Sequence, residues 1–503
     1  MRFVARWREH LVLPPATRRL WQPTEDFMDN NHALDPTDWS EIRALGHRMM
    51  DDMIDHLAGL RNSPVWQKMP DEARKNFKKP LPAEGTDLTA LYADFTANIQ
   101  PYVTGNTHPR FFGWVHGGGN PVSMLAELLA GAMNANCGGR DHVGIAVERQ
   151  VIAWAAEMLD MPAGTSGVLL TGSSMANFCA VLCARFAALG EAARREGFGR
   201  QKLVAYASAG AHRCVPAALD MAGLGSNALR LIPVDKDFRM DVVALQMAIV
   251  EDRAAGKRPF LIVGTAGSVD TGAIDDLAAL ADVAEQSGEG IWFHVDAAFG
   301  ALAALSPAHK KLLAGIERAD SVAFDFHKWA QVTYDAGCLL VRDAAVHLAT
   351  FQQETNYLAP AARGMAAGQP WPCDLGPDLS RGFRALKIWM TISAYGSERL
   401  GGVVAQSCNA AGRLAARIRQ NAGMEILAPV PLNIVCFRIK SFSDGEMLNL
   451  VASLQEQGVF VPSTTNIGGR LAIRVAVVNH RTTNDDVDAF FKQMLRSSGA
   501  FSF

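Results

Sequence analysis

Asp296 and Lys328, about thirty residues apart, carry the clearest chemistry in this chain. Asp296 closes the run Ile291-Trp292-Phe293-His294-Val295, and Lys328 follows Ser321 to Phe324 within His327-Lys328-Trp329. The apolar runs before each read as buried strands. Both polar groups would then emerge at the carboxyl ends of strands, where open α/β sheets bind ligands. A lysine placed there can condense with an aldehyde. A carboxylate can hold a heterocyclic nitrogen protonated, so that the ring accepts electrons. Pyridoxal phosphate needs both from a protein. The alternative is a buried salt bridge between Asp296 and Lys328, since such pairs are often structural.

Thr171-Gly172-Ser173-Ser174 lies between the apolar run Val168-Leu169-Leu170 and a helical pattern starting near Met175. Glycine permits a tight turn, and amides with free hydroxyls at a helix start form an anion site. An ordinary helix N-cap explains the same residues. Neither a nucleophile elbow nor a P-loop fits, because the GxSxG spacing and the Gly-Lys-Ser/Thr ending are both absent. His212 follows the run Leu203-Val204-Ala205 and opens another helix, where an imidazole can stack on a flat cofactor or cap the helix. His212, His294 and His327 match no zinc spacing. Gly117-Gly118-Gly119 sits outside any strand–helix unit and makes a very weak dinucleotide fingerprint.

The elements that would position these groups follow from pattern. From about residue 120, seven short apolar runs alternate with helical segments: Val168–Leu170, Leu203–Ala205, Leu229–Val234, Phe260–Val263, Ile291–Val295, Val322–Phe324 and Cys338–Val341. That is the signature of βα units and a largely parallel sheet. Ser40 to Leu60 and Thr86 to Ile99 are amphipathic helices without strand partners, so the front of the chain reads as a helical arm. After Leu400 a long helix, the strands Ile434–Ile439 and Leu471–Val477, the helix Glu446–Gln457 and a closing helix make an α+β domain. The expected division is an arm over residues 1–119, a large domain over 120–400 and a small one over 401–503.

At 503 residues the chain exceeds one compact core. A net charge of −3 argues against nucleic acid as a partner. No uninterrupted apolar stretch is long enough to span a bilayer. The eight cysteines contain no CxxC, which removes the usual zinc-ribbon and redox signals and fits a reducing cytoplasm. Met1 to Arg8 carries three arginines without an apolar core behind them, so a secretory signal is not expected. An Arg-rich transit peptide or a plain basic terminus both match that composition.

Taken in order, several short motifs resemble one family. They are His108-Pro109-Arg110-Phe111-Phe112, Gly172-Ser173-Ser174-Met175-Ala176-Asn177, Ala211-His212, Thr265-Ala266-Gly267, His294-Val295-Asp296-Ala297-Ala298, His327-Lys328-Trp329, Arg381 to Lys387 and Ile473-Arg474-Val475. The chain is similar to the group II pyridoxal-phosphate-dependent amino acid decarboxylases, which act on aromatic amino acids, histidine, glutamate or cysteine sulfinate. The resemblance runs from about Asp35 to the last helix. It implies an α/β fold of the type I pyridoxal-phosphate transferase class, with a mainly parallel seven-stranded sheet flanked by helices. It also implies a homodimer with each site at the subunit boundary.

The same resemblance implies roles. Lys328 would carry the cofactor, Asp296 would face the ring nitrogen, His212 would stack on one ring face and Ala298 pack on the other. Thr265 would lie at the ring edge, and Ser173, Ser174 and His327 would bind the phosphate. Arg474 would hold a substrate carboxylate, or else make an ion pair between domains. Trp114, Val115 and His116 fall where the aromatic branch lines its side-chain pocket, and Asn134 and Asn136 fall where that branch is mostly apolar. Buried, those polar groups would need partners from a polar or phenolic substrate, from backbone or from water. The implied reaction is decarboxylation of an L-amino acid, aromatic favoured, to the amine and carbon dioxide.

Two departures stand out. Family members carry a catalytic tyrosine in a mobile loop, whereas Ala359 to Pro377 has the glycines and prolines of a flexible lid but no tyrosine. Tyr357, His212 and a partner subunit's tyrosine (at position 334) are the alternative proton donors. Where relatives replace that tyrosine by phenylalanine, the outcome shifts toward oxidative deamination to an aldehyde, the second reading here. A third, from another class, is a catalytically silent homologue that binds pyridoxal phosphate or a partner. The other departure is Asp325, where the aromatic branch has asparagine. A carboxylate there must face away from a phosphate or pair with a cation.

Overall fold

The computed structural model describes residues 34–353 and 361–497, apart from residues 198, 200 and 289. Tyr357, both chain termini and the first two residues of the expected lid lie outside the described residues. The chain divides into two compact units, Met1–His56 and Leu57–Phe503. Most of the helix Trp39–Gly59 belongs to the first, and this helix buries none of its residues.

The second unit is built on strands whose sequences alternate between two buried faces. They are β1 (Ser166–Leu170), β2 (Leu203–Ser208), β3 (Leu229–Ile232), β4 (Arg258–Thr265), β5 (Trp292–Asp296), β6 (Ser321–Asp325) and β7 (Gly337–Val341). Among the described residues these form one seven-stranded sheet in the order β1-β7-β6-β5-β4-β2-β3. β7 runs antiparallel to both neighbours, and every other pairing is parallel. On β6, Val322 and Phe324 enter one apolar core while Ala323 enters the core on the opposite face. Such two-sided burial requires apolar residues at most positions, which is why the inner strands were visible as apolar runs, whereas the edge strand β3 carries Arg230 and buries only Ile232.

A smaller antiparallel sheet follows, ordered β10-β11-β9-β8, from β8 (Met424–Ile426), β9 (Ile434–Ile439), β10 (Ser463–Ile467) and β11 (Arg470–Ala476). The helix Arg384–Arg419 packs against elements of both layers, and Gly396 at φ 71 lets it kink between them.

Several expected elements take different roles from those anticipated. In the described part of the expected lid, residues 361–365 are exposed, and the stretch from Gly368 to Gly376 is anchored. Trp371 is buried and donates from its indole to Ala367, while Arg149 clamps the carbonyls of Gly368 and Pro370. The glycine run packs under the lysine loop: a Cβ on Gly117 would lie 2.2 Å from the His327 carbonyl and 2.4 Å from that of Lys328. Close backbone approach, not a dinucleotide, explains Gly117.

Candidate active site

Period-two alternation on β5 sets the site. Trp292, His294 and Asp296 share one face, toward the helix Ser173–Leu189. His294 is a prop there. Its Nε2 meets Asn177 Oδ1 at 2.8 Å and its Nδ1 meets Ser321 Oγ at 2.8 Å, while burial pushes its pKa down to about 4. Asp296, one pleat on, ends the strand buried. Its Oδ1 accepts the Ala298 amide at 3.2 Å, and its Oδ2 accepts the Cys214 thiol at 3.6 Å. Burial raises the Asp296 pKa, while Lys328 and His212 pull it back down.

Asp296, Thr265, Asp325 and Ser208 are the last residues of four strands, so one rim of the sheet gathers these groups. Above it lies a cavity of about 570 Å³. Ser173, Ser174, His212, Thr265, Asp296, Ala298, His327 and Lys328 all line it, as do Trp114 and His116. Ten residues that the sequence nominated thus line one cavity, while Arg474, Asn134 and Asn136 are not among its lining.

Arg474 sits behind the cavity wall. It is buried but does not line the cavity; its guanidinium donates to the carbonyls of Val269 and Asp270 and to Ser463 Oγ. Its hydrogen bonds thus run to backbone carbonyls and Ser463 and not to a carboxylate of another domain, while its charge reaches His116 in the cavity wall. Asn134 and Asn136 also turn away. Asn134 ends the helix Pro121–Met133 in the left-handed conformation, and Asn136 Oδ1 accepts the amides of Gly138 and Arg381.

Lys328 does not pair with Asp296 as the salt-bridge reading supposed. Its Nζ lies 2.8 Å from Asp325 Oδ2. The same carboxylate accepts the Ser173 amide at 2.6 Å and the Ser173 hydroxyl at 2.7 Å. His327 Nε2 is 3.6 Å away, and its Nδ1 accepts the Ala336 amide, which leaves the ring proton on Nε2 facing Asp325. Burial drives the His327 pKa down to about 4.

His212 Nδ1 accepts the Cys214 amide at 3.2 Å, so the neutral ring carries its proton on Nε2. Burial is also the largest cause lowering its pKa. Tyr334, considered as a group from a partner, lines the cavity of its own chain and tilts against His327 with ring centres 4.3 Å apart. Burial pushes its hydroxyl pKa up to about 12. Sequence reasoning gave no role to Asn177, quoted only within a motif, or to Cys214. Asn177 stands one helical turn after Ser173 and donates to its carbonyl, a spacing that could have exposed it.

The residues present fit the anticipated cofactor. Thr265 Oγ1 is buried, lines the cavity wall and has no hydrogen-bond partner in the protein. An orphaned hydroxyl beside a buried carboxylate and a lysine is what a polar ring edge would satisfy.

Sheet, strand-end groups and lysine together define a pyridoxal-phosphate enzyme of fold type I. The model of the pyridoxal-dependent decarboxylase conserved domain matches residues 70–440. Aromatic-L-amino-acid decarboxylase of Bacillus atrophaeus is 31% identical over 462 residues, covering 89% of this chain and 93% of that protein. Phenylacetaldehyde synthase of Arabidopsis thaliana is 28% identical, covering 88% and 93%. The crystal structure of Catharanthus roseus tryptophan decarboxylase in complex with L-tryptophan matches with a TM-score of 0.83 at 26% identity, over 93% of this chain and 100% of that one. The chain belongs to the pyridoxal-dependent decarboxylase family. It is an amino acid decarboxylase with pyridoxal phosphate as cofactor.

Proposed function

We propose that this enzyme decarboxylates an aromatic L-amino acid to its amine, with Lys328 carrying the cofactor. The observation that carries the substrate class is the cavity wall. Trp114, His116, Phe299 and Tyr334 line it, and His116 stacks on Phe111 and Trp114 at 5.8 and 5.9 Å. Flat apolar faces of this kind favour an aromatic ring. The relatives named for aromatic amino acids and tryptophan support the same class.

Bound there, pyridoxal phosphate supplies an aldehyde to link the substrate amine and a ring to accept the electron pair of the breaking Cα–carboxylate bond. Lys328 holds the cofactor, yields to substrate and returns to release product. Asp296 keeps a proton on the ring nitrogen, its own charge supported by the Cys214 thiol and the Ala298 amide. Ser173, Ser174 and His327 hold the phosphate. His212 covers one ring face and Ala298 leaves room at the other, while Thr265 Oγ1 serves the ring edge. His212 Nε2–H and the Tyr334 hydroxyl are the described groups able to move a proton to Cα.

A homodimer belongs to this reading. Leu125, Leu128, Leu129 and Met133 are 39–57% exposed along the helix Pro121–Met133. Leu88, Leu91 and Ile99 are also exposed in or beside the helix Leu88–Asn98. A second copy is the natural cover for such faces. Among the described residues no helix is long and apolar enough to cross a membrane. Eight free cysteines, seven of them buried, support a reducing cytoplasm as the compartment.

The aldehyde-forming reaction is kept as a second reading because residues 361–377 contain no tyrosine and one relative is an aldehyde synthase. The test is to incubate the purified protein with pyridoxal phosphate and each of several aromatic and acidic L-amino acids. Carbon dioxide, amine, ammonia and peroxide are then measured. Equal amine and carbon dioxide from aromatic substrates, without peroxide, is expected. Ammonia and peroxide in step with carbon dioxide would establish the second reading, and turnover confined to acidic substrates would overturn the substrate class.

A further inference from the structure

We propose that Asp325 sets how weakly this enzyme retains its phosphorylated cofactor, by placing a fixed negative charge on the groups that the phosphate needs. This rests on the cofactor assignment above and goes beyond it to a residue with no role there. Asp325 is buried at the end of β6, and both of its oxygens are engaged. Oδ1 takes the Ser173 amide, and Oδ2 takes the Ser173 hydroxyl and the Lys328 ammonium. Ser173 is the first residue of a 17-residue helix. Its amide is one of the unpaired donors that make a helix start attractive to anions.

An internal carboxylate thus already occupies a hydroxyl and an amide that a phosphate would use. Two outcomes are open to an incoming phosphate. It displaces Asp325 from the Ser173 hydroxyl, or it binds beside an uncompensated carboxylate. Both oppose binding, because like charges a few ångströms apart in a buried site repel strongly. The Lys328 ammonium, which balances Asp325 here, is also the amine that must react with the aldehyde. Linking the cofactor therefore draws on the cation that neutralises the carboxylate. The other nearby groups give limited relief: the low pKa of His327 leaves its ring neutral at pH 7.

The charge is the operative feature, so the test removes it and keeps the shape. Asp325→Asn retains an acceptor for the Ser173 amide, and Asp325→Ser is a second, smaller uncharged variant. Cofactor-stripped wild type and both variants would be titrated with pyridoxal phosphate and with pyridoxal, which lacks the phosphate, following tryptophan fluorescence and visible absorbance. Freeing Lys328 from its ion pair acts at the aldehyde and so alters both compounds alike. The phosphate effect alters one. Pyridoxal phosphate should bind roughly tenfold or more tightly to the uncharged variants, with the pyridoxal affinity changing by no more than about threefold. Inorganic phosphate should also raise the melting temperature of the stripped variants more than that of wild type.

Weaker pyridoxal phosphate binding in both variants, or an equal change for the two compounds, would overturn the inference while leaving the cofactor assignment intact. Failure of wild type and both variants alike to bind pyridoxal phosphate would overturn both.

Discussion

Asp296→Asn should leave the cofactor in place and remove nearly all turnover. Asparagine keeps the shape of the side chain and an oxygen for the Ala298 amide, which Asp296 accepts at 3.2 Å. What it removes is a charge in a site where Asp296 is only 3% exposed. Two unit charges in hydrogen-bond contact at an effective dielectric near 20 attract by roughly 5–6 kcal/mol, an upper bound on the loss. A single charge-assisted hydrogen bond is worth about 1.5–3 kcal/mol net. A loss of about 3–4 kcal/mol in transition-state stabilisation lies between these and corresponds to roughly 100- to 1000-fold in kcat. The groups assigned to the phosphate and to the linkage, Ser173, Ser174 and Lys328, are untouched. The assay is carbon dioxide release at saturating pyridoxal phosphate, with cofactor content measured on the same samples by absorbance. A kcat within about threefold of wild type would refute the reasoning, as would full activity restored merely by adding cofactor.

Tyr334→Phe removes a hydroxyl that lines the cavity. If that hydroxyl delivers the proton to Cα, the amine-to-carbon-dioxide ratio should fall and peroxide appear aerobically; an unchanged product ratio would assign the proton to another group. Arg381→Ala strands Glu148, whose two oxygens accept from Arg381 at 2.6 and 2.9 Å in a buried pair. It should cost about 3–5 kcal/mol of stability in urea melts, and a loss under about 1 kcal/mol would contradict that burial. Acid should unfold the protein early. His108, His294, His327 and His347 are all buried with pKa values lowered to about 4 by desolvation. Unfolded imidazoles take protons below about pH 6.5, so stability is full above that and falls toward pH 4 by about 1.4 kcal/mol per pH unit for each ring. Urea midpoints that stay flat from pH 6.5 to 4.5 would refute this. Light scattering at assay concentration should give a dimer, and a fully active monomer would sink that assignment.

Much of this was legible in sequence because the large sheet is buried on both faces. Each of its strands contains an apolar run, broken only by Arg230 on the edge strand β3 and His294 on β5, and Asp296 and Asp325 mark where two of them reach the ligand rim. The small sheet was half hidden: β8 spans three residues, and β10 reads Ser-Thr-Thr-Asn-Ile, without the alternation that marks a strand. Partnerships were harder to see than positions. Nothing local in the chain says that Lys328 meets Asp325 and not Asp296, since that depends on which way the loop after β6 turns. Arg474 likewise has the residue type for a carboxylate, but Val269 and Asp270 present their carbonyls to it first. The glycines and prolines of 361–377 suggested a lid, and the burial of Trp371 shows where that segment is anchored while 361–365 remain exposed.

The account stands on one covalent attachment. Borohydride reduction of the enzyme with pyridoxal phosphate, followed by proteolysis and peptide mapping, fixes the site of linkage. Label on Lys328, lost in Lys328→Ala together with the visible absorbance band, is the predicted result. Label on any other lysine, or undiminished labelling of the Lys328→Ala protein, would contradict the account at its centre.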